Sequence, residues 1–298
     1  MLQNEKEINT EVFAGGFTTG TASDCMPEEA GGGRCPQRYL ADTDKTGNVI
    51  HKTYFSKTCG MNRGVSILLP SQMSEKEKYP VLYMLHGIFG NENSFTDDPA
   101  NRIKELVANM AAEGVSKKTI VVFPDMYATA DPEKKPNLKN AADLIPYDNF
   151  EKELVNDLMP FIVSEFPVMT GRDNTGVAGF SMGGRETLYI SLLHSDIIGF
   201  FSSISPAPGL TPGRDWAMEH PGTIKEEELC FGKNSVLPKR LILCCGTKDS
   251  VVGVFPKNYH ELMEKNGVEH IWYEIEDADH DNDAVRSGIY EILKAMNE

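Results

Sequence analysis

The stretch VAGFSMGGRETLYISLL, residues 177–193, decides the fold. An apolar run of small and β-branched residues meets Ser181, with Gly179 and Gly183 two places to either side, and an amphipathic stretch follows at once. That order predicts a strand, a sharp turn and a helix. A G-x-S-x-G pattern alone is weak, and its context gives it weight. The chain must reverse at the serine in a strained conformation, while strand and helix come too close for side chains at the flanking positions. Gly179 and Gly183 leave that room, and Gly184 lets the helix lie closer still. The serine oxygen then stands at a helix N-terminus, where backbone N–H groups face a developing anion. The competing reading, a glycine loop with an incidental serine, has no use for the strand before it and the helix after it.

Outward from this turn, apolar strand-like runs alternate with helical segments: VLYMLHG, TIVVFPD, TGVAGFS, FFSSISP, RLILCCGTKD and IWYEIED. Several are nearly continuous in apolar residues, as expected where helices cover both faces of a parallel sheet. Upstream, NVIHKTYFS and RGVSILLP read as an antiparallel pair of short strands. Phe150, Leu154, Leu158, Phe161, Ile162 and Phe166 share one helical stripe, which Pro160 is expected to kink. A last helix runs near Asp283 to Met296, with Val285, Ile289, Ile292 and Leu293 on its apolar side. The sum is one α/β domain with a mostly parallel central sheet, spanning 49–298. Residues 1–48, rich in Gly, Thr, Asp and Glu, read as an N-terminal extension or strap.

Composition narrows the class. A net charge of −15 leaves no basic stripe for nucleic acid, and no apolar run reaches a membrane span. The polar start MLQNEKEINT lacks a signal-peptide core, so it reads as a cytoplasmic start or as a mature secreted chain carrying an added Met. Cys244 and Cys245 are adjacent in a strand and expected as buried thiols on opposite faces. Cys25 and Cys35 flank a flexible loop that a disulfide could close. No C-x-x-C occurs, so a zinc or other metal site is not expected.

A serine hydroxyl needs a base to take its proton and an acid to orient that base. In this fold class the order is Ser, acid, His, so the partners lie after residue 181. Of His194, His220, His260, His270 and His280, the last falls at the carboxyl end of a strand, where catalytic groups collect in open α/β sheets. Asp249 holds the same place after LILCCGTK. Asp277, Asp279, Asp281 and Asp283 are rivals that would need the loop to fold back on itself, and they are expected to solvate it. For the oxyanion, Met182 N–H is one expected donor and Ile88, in the loop HGIFGNENSF, is the other. His86 is expected to brace that loop.

Together VLYMLHGIFGNENSF, VAGFSMGGRETL, CCGTKDSVVG and HIWYEIEDADHD resemble the feruloyl esterase family of plant cell-wall degradation. This is a carbohydrate esterase group in the esterase D-like branch of the α/β hydrolases. The likeness runs from about Gly47 to the C-terminus. It implies secreted hydrolysis of ferulate or acetate esters on xylan, with Ser181, Asp249 and His280 as triad, no cofactor, and room for neighbouring carbohydrate-active modules. Two departures bear on substrate. The loop DNDAVRSG after His280 is acidic and lacks aromatic residues found in some relatives. Residues 206–237 look like a pocket-covering insertion, in which Trp216 either stacks a phenolic ring or packs in the ordinary way.

The expected function is thus a serine carboxylic-ester hydrolase acting through an acyl-enzyme on feruloylated or acetylated xylan or small phenolic esters. The alternatives are an acetylxylan esterase, an S-formylglutathione hydrolase-like thioesterase, a siderophore esterase, or a catalytically silent carbohydrate-binding protein.

Overall fold

The computed structural model describes residues 33–74 and 76–298. Its centre is an eight-stranded sheet. In chain order the strands are β1 (Val49–Ser56), β2 (Met61–Leu68), β3 (Val81–Leu85), β4 (Ile120–Pro124), β5 (Thr175–Phe180), β6 (Phe200–Ile204), β9 (Arg240–Gly246) and β10 (Ile271–Ile275). A separate hairpin pairs β7 (Gly213–Arg214) with β8 (Glu219–His220). The spatial order is β1-β2-β4-β3-β5-β6-β9-β10. β1 and β2 run antiparallel, β2 meets β4 antiparallel, and every later pair is parallel. β5, which leads into Ser181, therefore sits mid-sheet, buried on both faces, which explains its unbroken run of small and β-branched residues.

Helices cover both faces, and each face has its own apolar core. On one lie α1 (Ile103–Ala112) and α6 (Asn282–Ala295), whose Leu106, Met110, Ile289 and Ile292 pack on Leu82, Val121 and Ile242. On the other lie α2 (Ile145–Glu153), α3 (Met159–Glu165), α4 (Met182–His194) and α5 (Phe255–Lys265). There Phe150, Leu154, Leu158, Ile162, Leu188 and Met263 meet Tyr83, Val122 and Val177. Each such buried side chain contributes about 1.5–3 kcal/mol.

Two local features differ from the sequence reading. The stripe from Phe150 lies on one continuous helical backbone that is interrupted by a π-helical turn, Leu154–Leu158, joining α2 to α3. Pro160 directly follows this turn, whose wider bonding, Met159 N–H to Leu154 C=O, accommodates the proline that cannot donate an N–H. The wider π turn absorbs the break and keeps the apolar stripe on the sheet. The second feature is the chain before β1, which is fastened down. Tyr39, in the short 3₁₀ turn Gln37–Leu40, is fully buried and stacks on Tyr290 at 5.6 Å. Asn109 of α1 donates to the carbonyls of Tyr39 and Ala41 at 3.0 and 2.9 Å. The described part of the expected strap is thus packed against α1 and α6.

Cys244 and Cys245 are both buried free thiols, and burial pushes each up to about 12. Cys35 is a buried free thiol as well, whereas Cys25 lies outside the described residues.

Candidate active site

Ser181 stands between β5 and α4 with φ 58° and ψ −115°, a region that side chains other than glycine rarely adopt. Such strain costs on the order of 1–3 kcal/mol and persists only where the surroundings over-determine it. Here they do. Ser181 N–H donates to Ile204 C=O at 2.9 Å, and Ser181 C=O accepts from Arg185 N–H at 3.0 Å and Ala207 N–H at 2.9 Å. The flanking glycines are sterically required: a Cβ on Gly179 would run into Gly183 C=O, and one on Gly183 into Leu85 C=O.

His280 follows β10, in the loop before α6. Its Nδ1 lies 2.9 Å from Asp249 Oδ2, and its ring packs on Phe180, the residue before the serine, with centroids 4.3 Å apart. Asp249 follows β9 in a turn where its Oδ1 accepts the N–H groups of Val251 and Val252, both at 3.1 Å. Burial alone would raise its pKa. The hydrogen bond and charge of His280, with the Val252 N–H, outweigh burial and hold the carboxyl below its usual value. An ionised Asp249 accepts the His280 Nδ1–H, and in the neutral imidazole this leaves the lone pair on Nε2. Nε2 has no hydrogen-bond partner among the described residues.

Each rival aspartate has another partner. Asp277 pairs with Lys248 at 2.6 Å, and Asp281 caps α6 through the N–H groups of Asp283 and Ala284. Asp283 pairs with Arg286 at 2.6 Å and Arg34 at 2.7 Å. Asp279 accepts Ser250 N–H and His280 N–H, both at 2.8 Å, which ties the histidine loop to the Asp249 loop. The four, expected to solvate the loop, also brace it.

The loop after β3 closes over the serine. A Cβ built on Gly87 would lie 3.5 Å from Ser181 Cβ. Residues Gly87–Gly90 form a turn closed by Gly90 N–H to Gly87 C=O at 3.1 Å, with Phe89 at φ 64°. Phe89 N–H is taken by Tyr147 Oη at 3.2 Å, while Ile88 N–H has no partner among the described residues.

The family described as "Putative esterase" matches residues 56–284. A CE1 ferulic acid esterase from Anaeromyces mucronatus, solved with ferulic acid bound, is 38% identical, with 88% of this chain and 95% of that chain covered at a TM-score of 0.81. The chain belongs to this esterase family, in its feruloyl esterase-like branch. A curated endo-1,4-beta-xylanase/feruloyl esterase from Xylanibacter ruminicola is 27% identical over 213 residues, or 70% of this chain and 26% of that protein. The chain thus spans about a quarter of that relative's length. An S-formylglutathione hydrolase from Staphylococcus aureus shares the α/β-hydrolase fold at 18% identity and TM-score 0.60, covering 84% of this chain and 99% of that one.

In this esterase the segment 206–237 is anchored beside α4. Buried Arg185 donates to Gly209 C=O at 3.1 Å, pairs with Asp148 at 2.6 Å, and contacts Glu186 and Thr223. Burial raises the Glu186 carboxyl to about 8 against the pull of Arg185. This cluster was not anticipated, although the basic-acidic pair GGRE next to the glycines marks it. Trp216 lies between β7 and β8 and is 77% exposed, so ordinary packing does not account for it. Phe89, Ile145 and Val251 are also exposed apolar side chains, and Phe89 lies on the loop that faces Ser181. The remaining histidines are engaged elsewhere: His194 with Glu151 at 2.7 Å, His220 with Asp215 at 3.0 Å, and His260 with His270 at 2.9 Å. A cleft of about 570 Å³ opens beside the end of β2 and the start of β4, lined by Lys45, Leu69, Lys104 and Thr119, away from this chemistry.

Proposed function

We propose that this esterase releases ferulate from feruloylated plant cell-wall xylan, by way of an acyl-enzyme on Ser181. The observation that carries the reading is the His280–Asp249 hydrogen bond of 2.9 Å, beside a serine held in a strained strand-to-helix turn. His280 Nε2 takes the Ser181 proton as Oγ attacks the ester carbonyl. The imidazolium so formed is stabilised by ionised Asp249. The tetrahedral oxyanion is received by the N–H groups of Met182, at the head of α4, and Ile88. His280 then gives its proton to the departing sugar oxygen, and a water deprotonated by the same nitrogen releases the acid.

The phenolic acyl group is supported by likeness to ferulic acid esterases and by the exposed Phe89 on the loop that faces Ser181. Trp216 is assigned as an aromatic surface for the phenolic ring. A polymeric substrate of this kind fits a secreted enzyme acting alongside other carbohydrate-active modules. The acidic loop at 277–283 disfavours substrates with a free carboxylate near the scissile bond.

A hydrolysis panel of methyl ferulate, methyl p-coumarate, acetylated xylan and S-formylglutathione tests the reading. Methyl ferulate should have the highest kcat/KM. A panel led by acetylated xylan or S-formylglutathione would replace the feruloyl assignment.

A further inference from the structure

A chain of hydrogen bonds begins under β2 and ends on the loop that faces the serine. Arg63, on β2, is 8% exposed. Its Nε lies 3.1 Å from Glu153 Oε1, which also accepts Tyr54 Oη at 2.7 Å. Arg63 Nη2 donates to the carbonyl of Asp125 at 2.6 Å. The N–H of that same peptide unit, on Met126, donates to His86 Nε2 at 3.0 Å. With Nε2 accepting, the ring proton belongs on Nδ1, which lies 2.6 Å from the carbonyl oxygen of Gly87. The N–H of the Gly87–Ile88 peptide unit is that of Ile88, which has no partner among the described residues. The Asp125 carboxylate does not break the sequence. It lies 3.5 Å from His86 Nε2, and its Oδ1 is taken by Tyr127 N–H at 2.9 Å.

A peptide unit is planar and trans, so its C=O and N–H point in opposite directions. Every bond in the chain therefore runs the same way, from the guanidinium through two peptide groups and one imidazole to Ile88 N–H. Hydrogen bonds aligned head to tail polarise one another. The Arg63 cation draws electron density along the chain, and the last N–H becomes a stronger donor. The same bonds fix its direction, because Gly87 C=O is held by both His86 Nδ1 and Gly90 N–H.

We propose that His86 and Arg63 are positioning residues that aim and polarise the Ile88 N–H toward the oxyanion. The proposal rests on the reading of Ser181 as nucleophile and Ile88 as oxyanion donor.

The test compares His86→Asn with His86→Gln. An Asn amide stands near the Nδ1 position and keeps the donor to Gly87 C=O. A Gln amide reaches the Nε2 position, keeps the Met126 end and loses that donor. For methyl ferulate, kcat should fall roughly 10²-fold or more in His86→Gln, the scale of losing one oxyanion donor. His86→Asn should stay within about tenfold of wild type, and KM should change little in either variant. The affinity for a feruloyl trifluoromethyl ketone, which mimics the tetrahedral species, should fall in step with kcat/KM while that for free ferulate holds. Arg63→Lys, which keeps the cation, should retain more kcat than Arg63→Gln, compared at temperatures where circular dichroism shows both folded. Equal kcat losses in the two His86 variants, or losses carried by KM, would overturn the proposal. Ser181→Ala, assayed beside them, separates the levels: retained turnover there refutes the nucleophile, whereas an inactive Ser181→Ala with equal His86 variants refutes only the hydrogen-bond chain.

Discussion

Two imidazoles flank the Ser181 turn. His280 gives Nδ1 to Asp249 at 2.9 Å, rests one face on Phe180, and keeps Nε2 without a partner among the described residues. His86 has both nitrogens engaged, Nδ1 with Gly87 C=O at 2.6 Å and Nε2 with Met126 N–H at 3.0 Å, and is 1% exposed. The side chains are identical and their neighbourhoods decide the work. A base needs a lone pair directed at the proton it takes. An imidazole with both nitrogens bonded can only hold its neighbours in place.

The comparison breaks most visibly when the open nitrogen is removed. His280→Ala should lower kcat by about 10⁶-fold, the scale on which triad members fail together. Steady-state turnover of methyl ferulate measures it, with circular dichroism to confirm folding. A loss no larger than that of His86→Gln would erase the distinction between the two residues.

Next comes the acid. Asp249→Asn should cost roughly 10⁴-fold in kcat, because the imidazole loses both its orientation and the charge that stabilises its protonated form. Asn at Asp277, Asp279, Asp281 or Asp283 should each cost less than about tenfold, since these residues brace the loop and do not touch His280 Nδ1. A profile in which one of the four matches Asp249 would reassign the acid.

A third prediction concerns pH, and it sets Asp249 against Glu186. The Asp249 carboxyl is held below its ordinary value, so its contribution to stability is present above that value and lost as pH falls through the folded one. Glu186 has the opposite sign. Its folded pKa is raised to about 8, so the folded state keeps a proton that the unfolded chain releases near 4.5. Its contribution is complete below the ordinary value and declines as pH rises toward 8. Thermal unfolding midpoints from about pH 5 to about pH 8 should therefore slope less steeply downward in Glu186→Gln than in wild type. An unchanged slope would mean that Glu186 is ionised beside Arg185.

The smallest effect belongs to Trp216. An aromatic surface of this kind contributes about 1 kcal/mol, so Trp216→Ala should raise KM for methyl ferulate by roughly fivefold. The unfolding midpoint should not move, because the side chain is mostly exposed. An unchanged KM would remove Trp216 from the substrate site.

Much of this architecture was legible in the chain. The Ser181 turn needs glycines because backbone meets backbone there, and that need leaves a local signature at Gly179, Gly183 and Gly184. The meeting of Asp249 with His280 was legible because each follows an apolar run, at the carboxyl ends of neighbouring parallel strands. What escaped was non-local or aperiodic. Arg63 and Glu153 lie 90 residues apart, and no spacing rule links a residue of β2 to one at the end of α2. Tyr39 fastens the segment before β1 as one anchor without helical or strand periodicity, so nothing in the pattern announced it. The π turn at Leu154–Leu158 preserves the apolar stripe while changing the helix, which is why the stripe read as continuous.

The central claim is an acyl-enzyme on Ser181 carrying a ferulate. Quenching the protein with acid during turnover of 4-nitrophenyl ferulate, then mapping peptides by mass spectrometry, tests it directly. A feruloyl adduct is expected on the peptide bearing Ser181 and absent from Ser181→Ala. An adduct on another residue, or sustained hydrolysis by folded Ser181→Ala, would contradict it.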